Sequence, residues 1–210
     1  MQESVANFVF DFGAVIFEWD PVKRVEQHFQ GKWYGCESAQ ALAKSIFGHS
    51  TWHAFDQGVT NMQSVIEHAS DRLGIGHQAL IELIEPIGED LAPIESSIEI
   101  LELLKKRREE DGSCRLYFLS NMPAPYARVL ERKHHFLEWF DGGIFSADVK
   151  LAKPDIRIYK LLANRVRLKP ENTLFIDDLL LNVQAAESLG WRTIHLSKPL
   201  DLGDKIERFL

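Results

Sequence analysis

Five short runs of the chain are apolar almost throughout: Phe8–Phe12, Leu116–Ser120, Gly143–Ser146, Thr173–Asp177 and Thr193–Leu196. A strand with one wet face alternates apolar and polar residues, whereas a strand covered on both faces has no need to. These runs therefore predict a parallel sheet buried on both sides. The stretches between the later runs follow a helical period instead. In Ile94–Glu110, the residues Ile98, Leu101 and Leu104 share one face, a basic run lies near the end, and Gly112 follows as a stop. Pro154–Arg167 and Asn182–Leu189 also read as helices, with Pro154 in the first turn of one and Gly190 ending the other. Strands alternating with helices predict a doubly wound α/β sheet.

From Phe17 to Asp90 that rhythm breaks. Val22–Phe29, Ser38–Phe47, Thr60–Leu73 and His77–Ile84 all carry helical patterns, with no strand-like run between them. The expected organisation is an α/β core from residues 1–15 and 91–210, with residues 16–90 forming an α-helical insertion. Placed directly after the first strand, the insertion would overhang the carboxyl ends of the strands, where open α/β sheets bind ligands.

Composition narrows the class. The 210 residues are 45% hydrophobic and 26% charged, ordinary for a globular protein. With 24 Lys and Arg against 31 Asp and Glu, the net charge of −7 argues against a nucleic-acid or membrane-surface binder. Cys36 and Cys114 are too few for a disulfide framework and too isolated for a zinc site. No apolar run approaches the roughly 20 residues that span a bilayer. The first residues lack the basic start of a secretion signal, so a cytoplasmic protein is expected. The apolar residues of the insertion suit a core or a subunit interface equally.

The chemistry gathers at strand ends. The first strand delivers Asp11, and the fourth delivers Asp177 and Asp178. One acid in such a place is commonly a helix N-cap or turn former. Three at one edge of a sheet repel one another, and a site that holds them together usually holds a cation. Oxygen donors suit Mg²⁺. The second strand ends in Ser120 and Asn121, and Lys153 precedes Pro154. Singly, Ser120 reads as a turn residue and Lys153 as a solvated cation. Together with the acids they match a phosphoryl site, with a carboxylate nucleophile, metal carboxylates, a hydroxyl donor and a lysine.

The order FVFDFGAV, FLSN, KP and FIDDLLLN resembles the four motifs of the haloacid dehalogenase superfamily, and the insertion is similar to that family's type-1 cap. The resemblance spans nearly the whole chain and implies a Rossmann-like core. It implies that Asp11 is nucleophile and metal ligand, that the Gly13 carbonyl and Asp178 are further ligands, and that Asp177 binds directly or through water. Ser120, Asn121 and Lys153 would hold the transferred phosphoryl group, and Asn182 would fix the last loop. The implied activity is a Mg²⁺-dependent phosphomonoesterase acting on a small phosphorylated metabolite.

One position departs from the pattern. The family's phosphatases usually carry a general acid/base aspartate two residues after the nucleophile, where this chain has Gly13. Losing such a group costs on the order of 10²–10⁴ in rate, less for an ester with a good leaving group such as a sugar 1-phosphate. The chain also resembles a bacterial subgroup with an Asp-x-Gly first motif that includes a glucose-1-phosphate phosphatase. Asp20 before Pro21 reads as a helix N-cap rather than a replacement acid. In the insertion, Trp52, His53 and Asp56 of TWHAFDQG read either as core and turn or as a substrate-binding cluster. His134 and His135 read as surface residues of a helix. Two alternatives stay open: a metal-free 2-haloacid dehalogenase, against which Asp177 and Asp178 weigh, and a catalytically degenerate binding protein, which Gly13 favours.

Overall fold

The five apolar runs form one sheet in the computed structural model, which describes residues 5–209. β1 (Asn7–Phe10) lies at the centre, flanked by β2 (Arg115–Ser120) and β4 (Thr173–Asp177). β3 (Gly142–Phe145) and β5 (Arg192–His195) are the edges. The order is β3-β2-β1-β4-β5, and every pair is parallel.

Both faces are covered, which is why the strands need no polar alternation. On one face Phe8, Phe10, Leu116, Leu174 and Ile176 pack with Leu101 and Leu104 of α7 (Glu95–Asp111) and with Leu202 and Ile206 of α12 (Leu202–Glu207). On the other, Val9, Tyr117, Leu119, Ile144 and Phe175 meet Ile158, Tyr159 and Leu162 of α10 (Ile156–Val166) and Ala186 of α11 (Leu180–Glu187). The chain runs outward from β1 through β2 to β3, then crosses back to β4 on the other side of β1. That reversal opens a crevice at the carboxyl ends of β1 and β4, the usual ligand position in such sheets.

Between β1 and α7 come α1 (Pro21–Phe29), α2 (Ala39–Phe47), α3 (Ser50–Asp56), α4 (Met62–Leu73), α5 (His77–Ile84) and the short α6 (Ile87–Asp90). Their shared core includes Val25, Leu42, Ile46, Trp52, Phe55, Val65, Leu80 and Leu83. Side chains cap several of them: Asp20 accepts from Lys23 N, Ser38 from Ala41 N, and Asn61 from Ser64 N. The entering and leaving segments are strapped together. Phe17 bridges Pro93 in antiparallel fashion, Glu18 N donates to Ala92 O at 2.8 Å, and Ile94 N donates to Ile16 O at 2.8 Å. The buried Ser97 hydroxyl adds a bond to Val15 O at 2.6 Å.

Three local expectations are corrected. The TWHAFDQG cluster is largely the helix α3, started by His49, whose ring nitrogen accepts from Thr51 N. Seven residues are too few to show a helical period. Pro154 precedes its helix rather than opening it, because Asp155 caps α10 by accepting from Arg157 N at 2.9 Å. His134 ends α8 (Ala124–Lys133) as a half-buried ring packed on Phe17 and Phe136, while His135 is exposed. Among the described residues, no helix is long and apolar enough to cross a membrane.

Candidate active site

Asp11 is the first residue beyond β1, and its own N–H still donates to Ile176 O of β4 at 2.9 Å. That bond fixes the carboxyl at the mouth of the crevice. Lys153 reaches the same point from the loop before α10. Its Nζ lies 2.8 Å from Asp11 Oδ1 and 2.6 Å from Asp177 Oδ2, and all three residues are buried. Burial works to lower the lysine's pKa, but the Asp11 and Asp177 carboxylates outweigh it and hold that pKa above the ordinary value. For Asp11 burial wins: its pKa is raised to about 6, with Lys153 opposing and Asp177 adding to the rise.

The neighbouring pair Asp177 and Asp178 face different surroundings. Asp177 Oδ1 accepts from Leu179 N at 2.8 Å and from Asn182 Nδ2 at 2.9 Å. Its Oδ2 accepts from Lys153 Nζ at 2.6 Å and from Asn182 Nδ2 at 3.1 Å. Both oxygens are thus taken by protein donors. Asp178 is half-buried, and burial followed by the charges of Asp11 and Asp177 pushes its pKa up to about 7. Asp11, Asp177 and Asp178 each offer an oxygen within 4.8 Å of the others. Three hard donors so close make a fitting set for a small divalent cation, which would also offset the burial and repulsion that raise two of their pKa values.

The polar ends of β2 divide the same way. Ser120 Oγ is buried and has no hydrogen-bond partner among the described residues. An orphaned buried hydroxyl costs roughly 1–3 kcal/mol, a cost expected where a ligand completes the bond. Asn121 pairs its amide with the lysine loop: Oδ1 accepts from Lys153 N at 2.8 Å and Nδ2 donates to Lys153 O at 2.9 Å. Its side chain therefore sets the position of Lys153.

Among the insertion residues, the structure separates the expected trio. Trp52 is buried, with its ring against Phe47 at 4.7 Å and Phe55 at 5.8 Å, so it belongs to the cap core. His53 is exposed. Asp56, the last residue of α3, lies within electrostatic range of Asp11 and Lys153. Burial and the charge of Asp11 raise its pKa well above the carboxylate range, with Lys153 and the Trp52 side chain opposing. Two neighbours escaped the sequence reading. Trp19 stacks on Trp52 at 6.4 Å and lies 3.6 Å from where a Cβ on Gly13 would stand. Ser146 links Met122 N to the backbone of Asp56. A tryptophan soon after the first motif and a serine at the end of β3 were the available signals.

Residues 6–190 match the family model described as haloacid dehalogenase-like hydrolase. A sesquiterpene phosphatase of Aspergillus oryzae is 26% identical over 192 residues, covering 91% of this chain and 90% of the relative. A phosphorylated carbohydrates phosphatase of Thermotoga maritima is 24% identical over 187 residues, covering 89% and 82%. The crystal structure of a HAD family enzyme from Bacteroides thetaiotaomicron, in its magnesium complex, superposes with a TM-score of 0.73 at 19% identity, covering 98% of this chain and all of that one. The family model spans most of the chain, and the chain belongs to the haloacid dehalogenase-like hydrolases.

Proposed function

We propose that this hydrolase is a Mg²⁺-dependent phosphomonoesterase that works through an aspartyl-phosphate on Asp11. Its substrate would be a small phosphorylated metabolite, with sugar phosphates the favoured class and residues 16–90 serving as the cap. The observation that carries the proposal is Asp11 held 2.8 Å from the buried ammonium of Lys153, with the unpartnered Ser120 hydroxyl on the adjacent strand end. The relatives named as phosphatases support the same chemistry.

Asp11 and Asp178, with the Gly13 carbonyl, would hold Mg²⁺ directly, and Asp177, whose oxygens are already taken, would bind it through water. The magnesium complex of the Bacteroides neighbour supports that choice of ion. Bound Mg²⁺ would neutralise phosphoryl oxygens and lower the repulsion met by the nucleophile. Asp11 attacks phosphorus as the ester oxygen departs, and water then cleaves the acyl phosphate to release inorganic phosphate and restore Asp11. Lys153 and Ser120 hold the phosphoryl oxygens, each such donor contributing on the order of 10²–10³ in rate. Asn121, Asp177 and Asn182 keep Lys153 and the last loop in place.

A second substrate class is favoured by the half-buried Trp19 beside Gly13 and its partner Trp52. Such a wall suits an apolar alcohol, and the sesquiterpene phosphatase relative points the same way. A panel of sugar, short-chain and isoprenoid monophosphates, assayed with and without Mg²⁺, separates the classes. The expected result is phosphate release that needs Mg²⁺ and vanishes in Asp11→Asn. Halide release from a 2-haloacid without metal would instead establish the dehalogenase reading. Absence of both reactions in folded, Mg²⁺-loaded protein would favour a binding role.

A further inference from the structure

A phosphate ester of an ordinary alcohol leaves as an alkoxide unless something protonates it, and Gly13 carries no side chain to do so. The charged groups of the crevice are otherwise engaged. Asp11 is the proposed nucleophile, Lys153 is paired with two carboxylates, and Asp177 has both oxygens filled. Asp178 is assigned to the cation. Asp56 is the acid near the crevice that this chemistry leaves unused.

Its position is built by three consecutive residues. The Ser146 hydroxyl donates to the Asp56 carbonyl and accepts from Met122 N at 2.9 Å, two residues beyond Ser120. Gln57 Nε2 donates to Lys150 O at 2.9 Å, three residues before Lys153. Gly58, at φ +71°, passes so close to α9 (Ser146–Val149) that an added Cβ would stand 2.5 Å from Ala147 O. The end of α3 is thereby fastened to both loops that carry the phosphoryl-binding residues. The Asp56 carboxyl is within hydrogen-bonding reach of Trp52, Trp52 stacks on Trp19, and Trp19 borders the space a side chain at position 13 would use.

We propose that Asp56 is the general acid/base of this hydrolase, delivered by the cap in place of the group that Gly13 lacks. The assignment rests on the aspartyl-phosphate reading above. As Asp11 bonds to phosphorus and the phosphorus–ester oxygen bond breaks, the Asp56 carboxyl gives its proton to the departing oxygen. In the second half, the Asp56 carboxylate takes a proton from the attacking water as the Asp11–phosphorus bond breaks. The sum is ester plus water to alcohol plus phosphate. The charges facing Asp56 are Asp11 and Lys153 from the core, and Tyr126 of α8, whose hydroxyl donates to Ile84 O, lies within electrostatic range. Burial keeps the carboxyl protonated further up the pH scale than an ordinary aspartate, as an acid of this kind requires.

The test is a leaving-group series at saturating Mg²⁺: p-nitrophenyl phosphate, phenyl phosphate and an alkyl phosphate. Wild-type kcat/KM is expected to vary little along the series. Asp56→Asn, which keeps the size of the side chain, should lose about 10²–10⁴-fold on the alkyl ester and less than about 10-fold on the p-nitrophenyl ester. Adding Gly13→Asp to Asp56→Asn should recover much of the alkyl-ester activity, since a Cβ at position 13 meets only ordinary contact with Trp19. Equal loss on all three esters, or none, would overturn the proposal. So would a wild-type enzyme that slows steeply as the leaving group worsens, a measurement that stands even if the Asn variant does not fold. Activity surviving in Asp11→Asn would defeat the underlying aspartyl-phosphate reading instead.

Discussion

The crevice is made by two regions that obey different rules. The sheet edge contributes charge: Asp11, Asp177 and Asp178 stand at strand ends, and Lys153 reaches in from its loop to join Asp11 and Asp177. The insertion contributes aromatic mass: Trp19, Phe47, Trp52 and Phe55 pack ring to ring, and one carboxyl emerges from them at Asp56. In the first region a change of charge should be felt throughout. In the second, what should matter is how firmly the helix end is fastened.

The largest effect that can break this contrast is at the nucleophile. Asp11→Asn should abolish phosphate release while leaving the fold intact, read as activity beside a thermal melt. Lys153→Met comes next, because it leaves Asp11 and Asp177 facing each other without their cation. Removing one partner of a buried pair costs about 3–5 kcal/mol, so denaturant melts should show that loss together with lost turnover. On the insertion side, Gly58→Ala places a side chain at φ +71° against Ala147 O. It should cost about 1–2 kcal/mol from the left-handed backbone alone and lower kcat by loosening α3 from the core. Ser120→Ala sharpens the comparison from the other direction. Its hydroxyl has no partner to lose among the described residues, so stability should hold or rise slightly while kcat/KM falls about 10²-fold.

The smallest effect is electrostatic and needs no mutation. Asp11 near 6 and Asp178 near 7 lie above their ordinary value of 3.8, so the folded state binds protons that the unfolded chain has already released. In metal-free protein this pair therefore contributes less stability as pH rises from about 4 to about 7. His134 works oppositely: burial lowers its pKa, so its contribution is lost as pH falls below about 6.5. The difference in melting temperature with and without Mg²⁺ isolates the acids, and it should be larger at pH 8 than at pH 5.5, where protons compete with the ion.

The two regions were also unequally legible. Strands covered on both faces are apolar at consecutive positions, and polar residues then stand out where each strand stops, so Asp11, Ser120 and Asp177 were visible in the sequence. What was hidden there is the division of labour. Nothing local says that Asn121 is spent on the backbone of Lys153, 32 residues away, or that Asp177 is saturated while Asp178 is not. In the insertion even the helix carrying Asp56 was missed, since α3 is less than two turns long. Its spacing did hold a clue: Asp56 follows Trp52 by four residues and shares its face, whereas His53 is turned outward.

The strap between Phe17 and Pro93 has a consequence for how such a molecule changes over time. Because the insertion leaves and rejoins the sheet at almost one point, its length and contents can be exchanged without moving a strand. A different set of helices grafted between those two residues would inherit the same phosphoryl chemistry beneath it. The graft would also have to bring its own proton donor, so in this chain substrate choice and acid catalysis would be inherited as a single cassette.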